Sequence, residues 1–246
     1  MYLKVENLHC TNGEFSLHDI SFEVESGTIL AVGGPNGAGK TTLIKCLFGQ
    51  IKPVSGRILL NGEDIAKKSP REISRHIAVV SQEIPEPFNF TVRDVISISG
   101  YSKDKETISI MEALEKCGTP HLLDRQYSEL SGGEKRLVMV AAAVYQESSM
   151  IIMDEPTAFL DVDKELKVIN IIRRLRDEGK TVIVSLHDLN LIYSISDYVI
   201  LLKNGHLVHS GFTKEVLSEK TLESVYGVKF SQLENAGPYR FYASER

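Results

Sequence analysis

Several features that would assign the chain to a particular class of protein are missing from its 246 residues. It has no run of 18 or more apolar residues, so the sequence predicts no membrane-spanning helix. Its 28 lysine and arginine residues are outnumbered by 33 aspartate and glutamate residues, which gives a net charge of -5. A mildly acidic chain has no overall attraction to DNA, RNA or anionic lipid. A role at a membrane would therefore require a protein partner that holds the chain there.

Cysteine is also scarce. Cys10, Cys46 and Cys117 show neither the spacing of metal ligands nor an even set that would indicate a disulfide framework. We expect all three to stand alone, as in a reducing compartment. The first residues include Glu6 and lack an apolar segment, so we do not expect a signal peptide.

The sequence that is present alternates short apolar segments with helical patterns. Ile20, Phe22 and Val24 alternate with polar residues, which predicts a half-buried strand. Continuous apolar runs predict strands covered on both faces, at 29–32, 77–80, 150–153 and 181–184. Helices are predicted at 41–48 and after Ser69, where Pro70 at N1 and Glu72 at N3 complete a capping signal. A helical pattern that includes Leu166 lies between 153 and 181, and a hairpin is predicted at 198–209. This alternation favours an α/β fold with a mainly parallel sheet and helices on both faces.

The segment 84–149 has a different character. It opens with a loop that contains Pro85, Pro87, Phe88 and Phe90 and then becomes mostly helical, with capping boxes at Thr91-x-x-Asp94 and Ser131-x-x-Glu134. We predict that 84–149 is a helical subdomain inserted into a core formed by 1–83 and 150–246. The whole of 1–246 would then be one domain.

A glycine-rich turn after the run at 29–32 carries the most specific motif. It fits G-x-x-x-x-G-K-[ST] between a predicted strand and a predicted helix, as a phosphate-binding P-loop (Walker A) requires. Its residues are Gly34, Pro35, Asn36, Gly37, Ala38, Gly39, Lys40 and Thr41. Glycines let main-chain N–H groups approach a phosphate chain, and the helix N-terminus adds partial positive charge. We expect Lys40 to contact the β- and γ-phosphates, Thr41 to bind Mg²⁺ and Thr42 to bind a more interior phosphate.

Two adjacent acids follow the apolar run at 150–153. A buried strand that ends in Asp154-Glu155 delivers both carboxylates to the edge of the sheet where open α/β sheets bind ligands. Asp154 is a candidate ligand of Mg²⁺ or its water, and Glu155 a candidate general base for the attacking water. Without another motif in the chain, this pair would be interpreted as ordinary solvated carboxylates. The P-loop in the same chain favours the catalytic interpretation.

The segment Leu130-Ser131-Gly132-Gly133-Glu134 has the sequence LSGGE and lies between the P-loop and the acidic pair. In this order it resembles the signature of ATP-binding-cassette (ABC) ATPases, and the resemblance extends over essentially the whole chain. It implies a P-loop NTPase core with an N-terminal antiparallel β subdomain and the inserted helical subdomain. The glycines leave N–H groups exposed at a helix N-terminus, which makes an anion site.

The same resemblance implies further site residues. Gln82, at the end of an apolar run, is similar to the Q-loop glutamine that contacts Mg²⁺ or the attacking water. The stretch 158–161 is similar to the D-loop, and His187 to the switch histidine that contacts the γ-phosphate.

Two positions depart from the family's pattern. Thr11 stands where the family usually has an aromatic residue that stacks on adenine, and Phe15 is either a substitute for it or a core residue. Lys135-Arg136 follows the signature where Gln-Arg is commoner, which we expect to change little.

The resemblance implies an ATPase subunit of a membrane transporter that works as a dimer. Ser131, Gly132 and Gly133 of one chain, with Glu134, would face the γ-phosphate in the P-loop of the other, and hydrolysis would reopen the dimer. A permease would hold the chain at the cytoplasmic face of the cell membrane, with a groove near 82–95 and the loop 85–90 as its rim. The stretches 154–161 and 215–228 resemble importers of iron–siderophore complexes, haem or vitamin B12, which also use a solute-binding protein.

Other interpretations stay open at this point. A soluble ABC ATPase of iron–sulfur cluster assembly has similar length and motifs. ABC proteins that act on nucleic acids or in translation generally carry two cassettes, zinc modules or basic linkers, none of which the sequence has. A GTPase is disfavoured because the guanine motif Asn-Lys-x-Asp is missing, and the signature also argues against a small-molecule kinase.

Overall fold

The elements follow the predicted alternation of strands and helices in a computed structural model that describes residues 3–83, 89–103, 107–233 and 240–244. The strands are β1 (Leu3–Asn12), β2 (Phe15–Val24), β3 (Ile29–Gly33), β4 (Ser55–Leu60), β5 (Glu63–Asp64), β6 (Ile77–Val80), β7 (Met150–Asp154), β8 (Thr181–Ser185), β9 (Tyr198–Lys203), β10 (His206–Phe212), β11 (Lys229–Leu233) and β12 (Arg240–Ser244). The α-helices are α1 (Lys40–Leu47), α2 (Pro70–His76), α3 (Val92–Ser99), α4 (Ile110–Lys116), α5 (Gly132–Tyr145), α6 (Val162–Asp177), α7 (Leu189–Ile195), α8 (Thr213–Val216) and α9 (Glu219–Tyr226). None of the helices in the described ranges has the length and apolar character needed to cross a membrane.

The chain divides into two compact units, Met1–Lys67 with Ile183–Arg246, and Lys68–Val182. In the first unit the strands lie in the order β5-β4-β1-β2-β10-β9-β3-β8. β1 pairs antiparallel with β2 and β4, whereas β3 pairs parallel with β9. This unit is therefore a mixed sheet with an antiparallel N-terminal part. The predicted subdomain boundaries at 83/84 and 149/150 stay a prediction.

The second unit contains two buried parallel strands and most of the longer helices. β6 pairs with β7 in parallel, from Ile77 opposite Met150 to Val80 opposite Met153. Helix α5 packs against α3, α4, α6 and β6. Most of α5 from Arg136 to Tyr145 is buried, whereas its first residues are not. The signature glycines thus lie at the exposed end of an otherwise buried helix.

Most of the patterns that depend on local spacing form as predicted. Ile20, Phe22 and Val24 are buried in β2 between exposed neighbours, and every residue of β3 is buried. Asn204-Gly205 joins β9 to β10 with positive φ at both residues, as a two-residue hairpin requires. The predicted capping boxes form at α2, α3 and α5.

Some features differ from the sequence-based expectation or were not predicted. A further capping box, Ser109 with Glu112, begins α4, and helix α7 follows β8. Leu166 belongs to the apolar pattern of α6, yet it is 53% exposed because that pattern is wider than the buried face. Of the predicted rim loop, Phe90 is exposed, and Pro85, Pro87 and Phe88 lie outside the described residues.

The expectation that all three cysteines stand alone is wrong for two of them. Cys10 on β1 and Cys46 on α1 form a disulfide, with Cα atoms 7.4 Å apart and a sequence separation of 36. No spacing rule indicated this pair, because packing of α1 on β1 brings the two sulfurs together. The cysteine pattern therefore gives no support to a reducing compartment. Cys117 is free and buried, and burial raises the pKa of its thiol to about 12.

Candidate nucleotide site

The P-loop lies in the first unit, in the turn between β3 and α1. Gly34, Gly37 and Gly39 have φ angles of 140°, 75° and 107°, a region that L side chains rarely adopt. A Cβ atom on Gly34 would also overlap the main-chain oxygen of Leu202. The glycines of the motif are therefore required by the path of the backbone.

Lys40 is the first residue of α1, and its side chain bends back over the P-loop. It is buried, and its Nζ donates hydrogen bonds to the main-chain oxygens of Gly34 at 2.8 Å and Pro35 at 3.2 Å. The first turn of α1 has no acidic residue, and Gly39 offers no capping side chain. The N-terminus of α1 thus combines a cation with main-chain N–H groups that no side chain of its cap occupies, which suits an anion.

Tyr226 contacts the P-loop from the last residue of α9, which sequence reasoning missed. The N–H of Gly34 donates a hydrogen bond of 3.1 Å to the Tyr226 hydroxyl. Burial raises the pKa of this phenol, so it stays protonated at neutral pH. The first glycine of the P-loop is therefore tied to the C-terminal part of the unit.

Phe15 packs against the start of α1. A Cβ atom on Gly39 would lie 2.8 Å from a ring carbon of Phe15 and 2.7 Å from Leu17. Thr11 is exposed, and its hydroxyl lies 3.2 Å from that of Ser16. The contact gives Phe15 a packing role beside the P-loop.

The predicted catalytic acids lie in the second unit, at the end of β7. Asp154 is buried, and the next residue, Glu155, has a φ of 49°. Such a conformation is costly for a residue other than glycine and often marks a functional site. The side-chain amide of Gln82 donates a hydrogen bond of 2.9 Å to Oε2 of Glu155. The structure thus brings together Gln82 and Glu155, which lie 73 residues apart in sequence.

The signature residues form the N-terminus of α5. Ser131 is the N-cap, and both its N–H and its hydroxyl donate to the Glu134 carboxylate, at 2.8 and 2.7 Å. Both hydrogen bonds lower the pKa of Glu134, and the one from the hydroxyl has the larger effect. The Ser131 hydroxyl also accepts from the Glu134 N–H, so it is engaged within its own helix.

Lys164 of α6 adds a positive charge to this helix end. A Cβ atom on Gly133 would overlap Cδ of Lys164 and would lie 3.0 Å from its Nζ. Lys164 also pairs with Asp161, the N-cap of α6, at 3.2 Å. The signature glycine thus leaves room for the end of a neighbouring lysine side chain, which the sequence pattern did not indicate.

The remaining predicted residues lie at exposed turns. In the second unit, the D-loop stretch 158–161 places Phe159 in full exposure with a φ of 61°. In the first unit, His187 is exposed after β8, and Asp188 caps α7 by accepting from the N–H groups of Asn190 and Leu191.

Comparisons with known proteins show the family of the chain. The family model described as ABC transporter matches residues 17–158. The chain is 35% identical to a manganese transport system ATP-binding protein of Synechocystis, over 88% of this chain and 85% of the relative. It is 32% identical to a hemin import ATP-binding protein of Rhizobium meliloti, over 88% of this chain and 87% of the relative.

A solved structure gives the same result for the fold. The ATP-binding cassette MJ1267 of an ABC transporter, in its ADP conformation, superposes with a TM-score of 0.78 at 29% identity. The match covers 92% of this chain and 98% of that chain. The family model spans more than half of the sequence, and relatives above 30% identity match most of it. The chain therefore belongs to the ABC transporter family, as an ATP-binding subunit that hydrolyses ATP.

Proposed function

We propose that the chain hydrolyses ATP to drive import of a metal-bearing solute, such as an iron–siderophore complex, haem or cobalamin, through a membrane permease. The observation that carries the enzymatic part is the P-loop, with a buried Lys40 over a helix N-terminus whose first turn has no acidic residue. The cargo class is supported by the relatives named for hemin import and manganese transport.

The phosphate-binding role belongs to the first unit. Main-chain N–H groups from Gly34 to Thr41 bind the phosphates, Lys40 contacts the β- and γ-phosphates, and Thr42 contacts an interior one. The Lys40 ammonium donates to two loop carbonyls, and a phosphate would offer it stronger, charged acceptors. His187 contacts the γ-phosphate.

The proposed chemistry of the second unit depends on Glu155. Its carboxylate accepts a proton from the attacking water, and Gln82 orients that carboxylate through the observed hydrogen bond. Magnesium would neutralise charge on the phosphates. The hydroxyl of Thr41, the amide of Gln82 and the carboxylate of Asp154 are hard oxygen donors of the kind that suits it.

We propose further that two copies enclose the nucleotides. Ser131, Gly132 and Gly133 of one copy, with Glu134 as the cap partner, face the γ-phosphate bound to the other copy. The positive end of α5 and the nearby Lys164 support this role. Release of phosphate removes the shared anion and reopens the dimer, which moves permease subunits at the cytoplasmic face of the membrane. A solute-binding protein delivers the cargo on the opposite face.

A soluble role in iron–sulfur cluster assembly is the alternative. It is not favoured, because both reported relatives are named as transport or import ATP-binding proteins. The two functions differ in the partner that purifies with the chain. An integral membrane protein is expected here, and a soluble assembly protein instead would support the alternative.

The variant Glu155→Gln tests the enzymatic part. We expect kcat for ATP hydrolysis to fall at least about 100-fold, because a general base is lost, while ATP binding persists. Size-exclusion chromatography with ATP and magnesium should then show a stable dimer. Glu178→Gln, which removes an exposed carboxylate paired with Lys116, is the matched control and should hydrolyse ATP normally. Undiminished hydrolysis by Glu155→Gln would rule out this residue as the base.

A further inference from the structure

Arg136 is a buried cation in the first turns of α5, and it contacts the segment that follows β6. Its side chain is 4% exposed. Nη1 donates to the main-chain oxygen of Ser81 at 2.5 Å, and Nη2 donates to that of Gln82 at 2.8 Å. The guanidinium therefore holds two successive carbonyl groups at the point where the strand ends.

Burying this charged side chain costs folding free energy. Burial lowers the pKa of Arg136, and within the described part of the chain its Nε–H has no hydrogen-bond acceptor. Its hydrogen bonds go to neutral carbonyls, and the charges of Asp154 and Glu155 attract it and partly oppose the lowering of its pKa by burial. An apolar side chain would avoid the desolvation of a charge, but it could not hold the main-chain oxygens of Ser81 and Gln82, so the arginine has a role in fixing the backbone there.

The contacts of Gln82 show what the arginine can position. The Gln82 side chain is exposed, so packing does not fix its direction, whereas its main-chain oxygen is held by Arg136. From that anchored backbone, the amide reaches Oε2 of Glu155 at 2.9 Å. A continuous set of hydrogen bonds thus connects the helix that begins at the signature with the carboxylate proposed as the base.

We propose that Arg136 is a positioning residue for ATP hydrolysis, which acts through Gln82 on Glu155. The inference rests on the proposed function and deepens it. Because Arg136 and the signature glycines share the start of one rigid helix, a displacement of α5 also displaces the backbone of Gln82. Engagement of the signature by a second copy is thereby transmitted to the orientation of Glu155.

Steady-state kinetics of Arg136→Met in the full chain test the proposal. Methionine keeps the length and apolar packing of the side chain but cannot donate. We expect kcat to fall about 10- to 100-fold, as for a displaced catalytic group, with the KM for ATP unchanged within about twofold. Arg136→Lys keeps one donor group and should recover part of kcat. Arg174→Met breaks an exposed guanidinium–carbonyl bond to Lys116 and should leave both constants unchanged.

A double-mutant cycle separates positioning from general destabilisation. If Arg136 acts through Gln82, Arg136→Met should cause less than about a twofold further loss of kcat in a Gln82→Ala background. Losses that multiply, or a rise in KM at constant kcat, would overturn the proposal. Thermal unfolding shows whether Arg136→Met is merely unstable. If it is, Arg136→Lys replaces it in the double-mutant cycle.

A measurement without ATP distinguishes this inference from the proposed function. The side-chain amide of Gln82, followed by nitrogen-15 NMR with glutamine labelling and assigned with Gln82→Asn, should shift in Arg136→Met toward the position of a solvated amide. An unchanged resonance would contradict the positioning role even if the enzyme is active. Absence of hydrolysis by the wild-type chain would contradict the proposed function and leave the NMR test valid.

Discussion

At the scale of single residues, some strained or costly conformations lie where function is proposed, whereas others, such as the positive φ of Asp19 and Glu147, lie elsewhere. Glu155 and Phe159 both adopt positive φ angles without being glycine, and Arg136 is buried without a carboxylate bonded to it in the described residues. Each costs free energy that the surrounding structure must offset. Such positions indicate where the chain departs from the most stable arrangement.

Tyr226→Phe tests the link between the C-terminal helix and the P-loop. It removes only the hydroxyl that accepts from the Gly34 N–H, so a buried donor loses its partner. We expect the free energy of unfolding to fall by about 1–3 kcal/mol, together with weaker ATP binding, because the loop loses a fixed point. Chemical denaturation and calorimetric titration with ATP measure the two effects.

Tyr101→Phe is the control for that prediction, because Tyr101 is 75% exposed. It should change neither the unfolding free energy nor ATP affinity. If Tyr226→Phe behaves like this control, the hydroxyl contributes nothing to the loop.

At the scale of the elements, capping boxes define where α2, α3, α4 and α5 begin. In each, hydrogen bonds from a serine or threonine lower the pKa of the acid three residues later. These contacts join residues three positions apart, so a short sequence pattern predicted three of the four, and the same pattern at Ser109–Glu112 was missed.

Glu112→Gln makes the pH dependence of a cap measurable. The pKa of Glu112 is lowered in the folded chain, chiefly by the hydrogen bond from the Ser109 N–H. Its contribution to stability is therefore present above the unfolded-state pKa of about 4.5 and is lost as the pH falls through the lower folded-state value. Wild type should have a higher Tm than Glu112→Gln at pH 7, and the difference should shrink in acid. Glu115→Gln, exposed on the same helix, should show no such difference.

At the scale of the whole molecule, the signature can act in the proposed mechanism only when a second copy of the chain is bound. Ser131→Arg places a large side chain at the N-terminus of α5, where the partner's γ-phosphate would approach. We expect ATP affinity of the monomer to be unchanged, and both ATP-dependent dimer formation and hydrolysis to be lost. Analytical ultracentrifugation with ATP and magnesium, alongside hydrolysis assays, checks this. Normal hydrolysis by Ser131→Arg would exclude a role of the signature across the dimer.

Features that depend on residues close together in the sequence could be predicted without the structure. A P-loop needs glycines and a lysine at fixed spacing between a strand and a helix, and the alternation of β2 and the capping boxes likewise depend on neighbours a few residues away. The LSGGE segment and the Asp154-Glu155 pair were found for the same reason.

Which distant residues meet depends on how the whole chain folds. Tyr226 and Gly34 are 192 residues apart, Gln82 and Glu155 are 73 apart, and Arg136 lies 54 residues from Gln82. The Cys10–Cys46 pair, expected to be two separate thiols, belongs to the same group. Such contacts depend on how whole helices and strands pack, and no spacing rule within a short window contains that information.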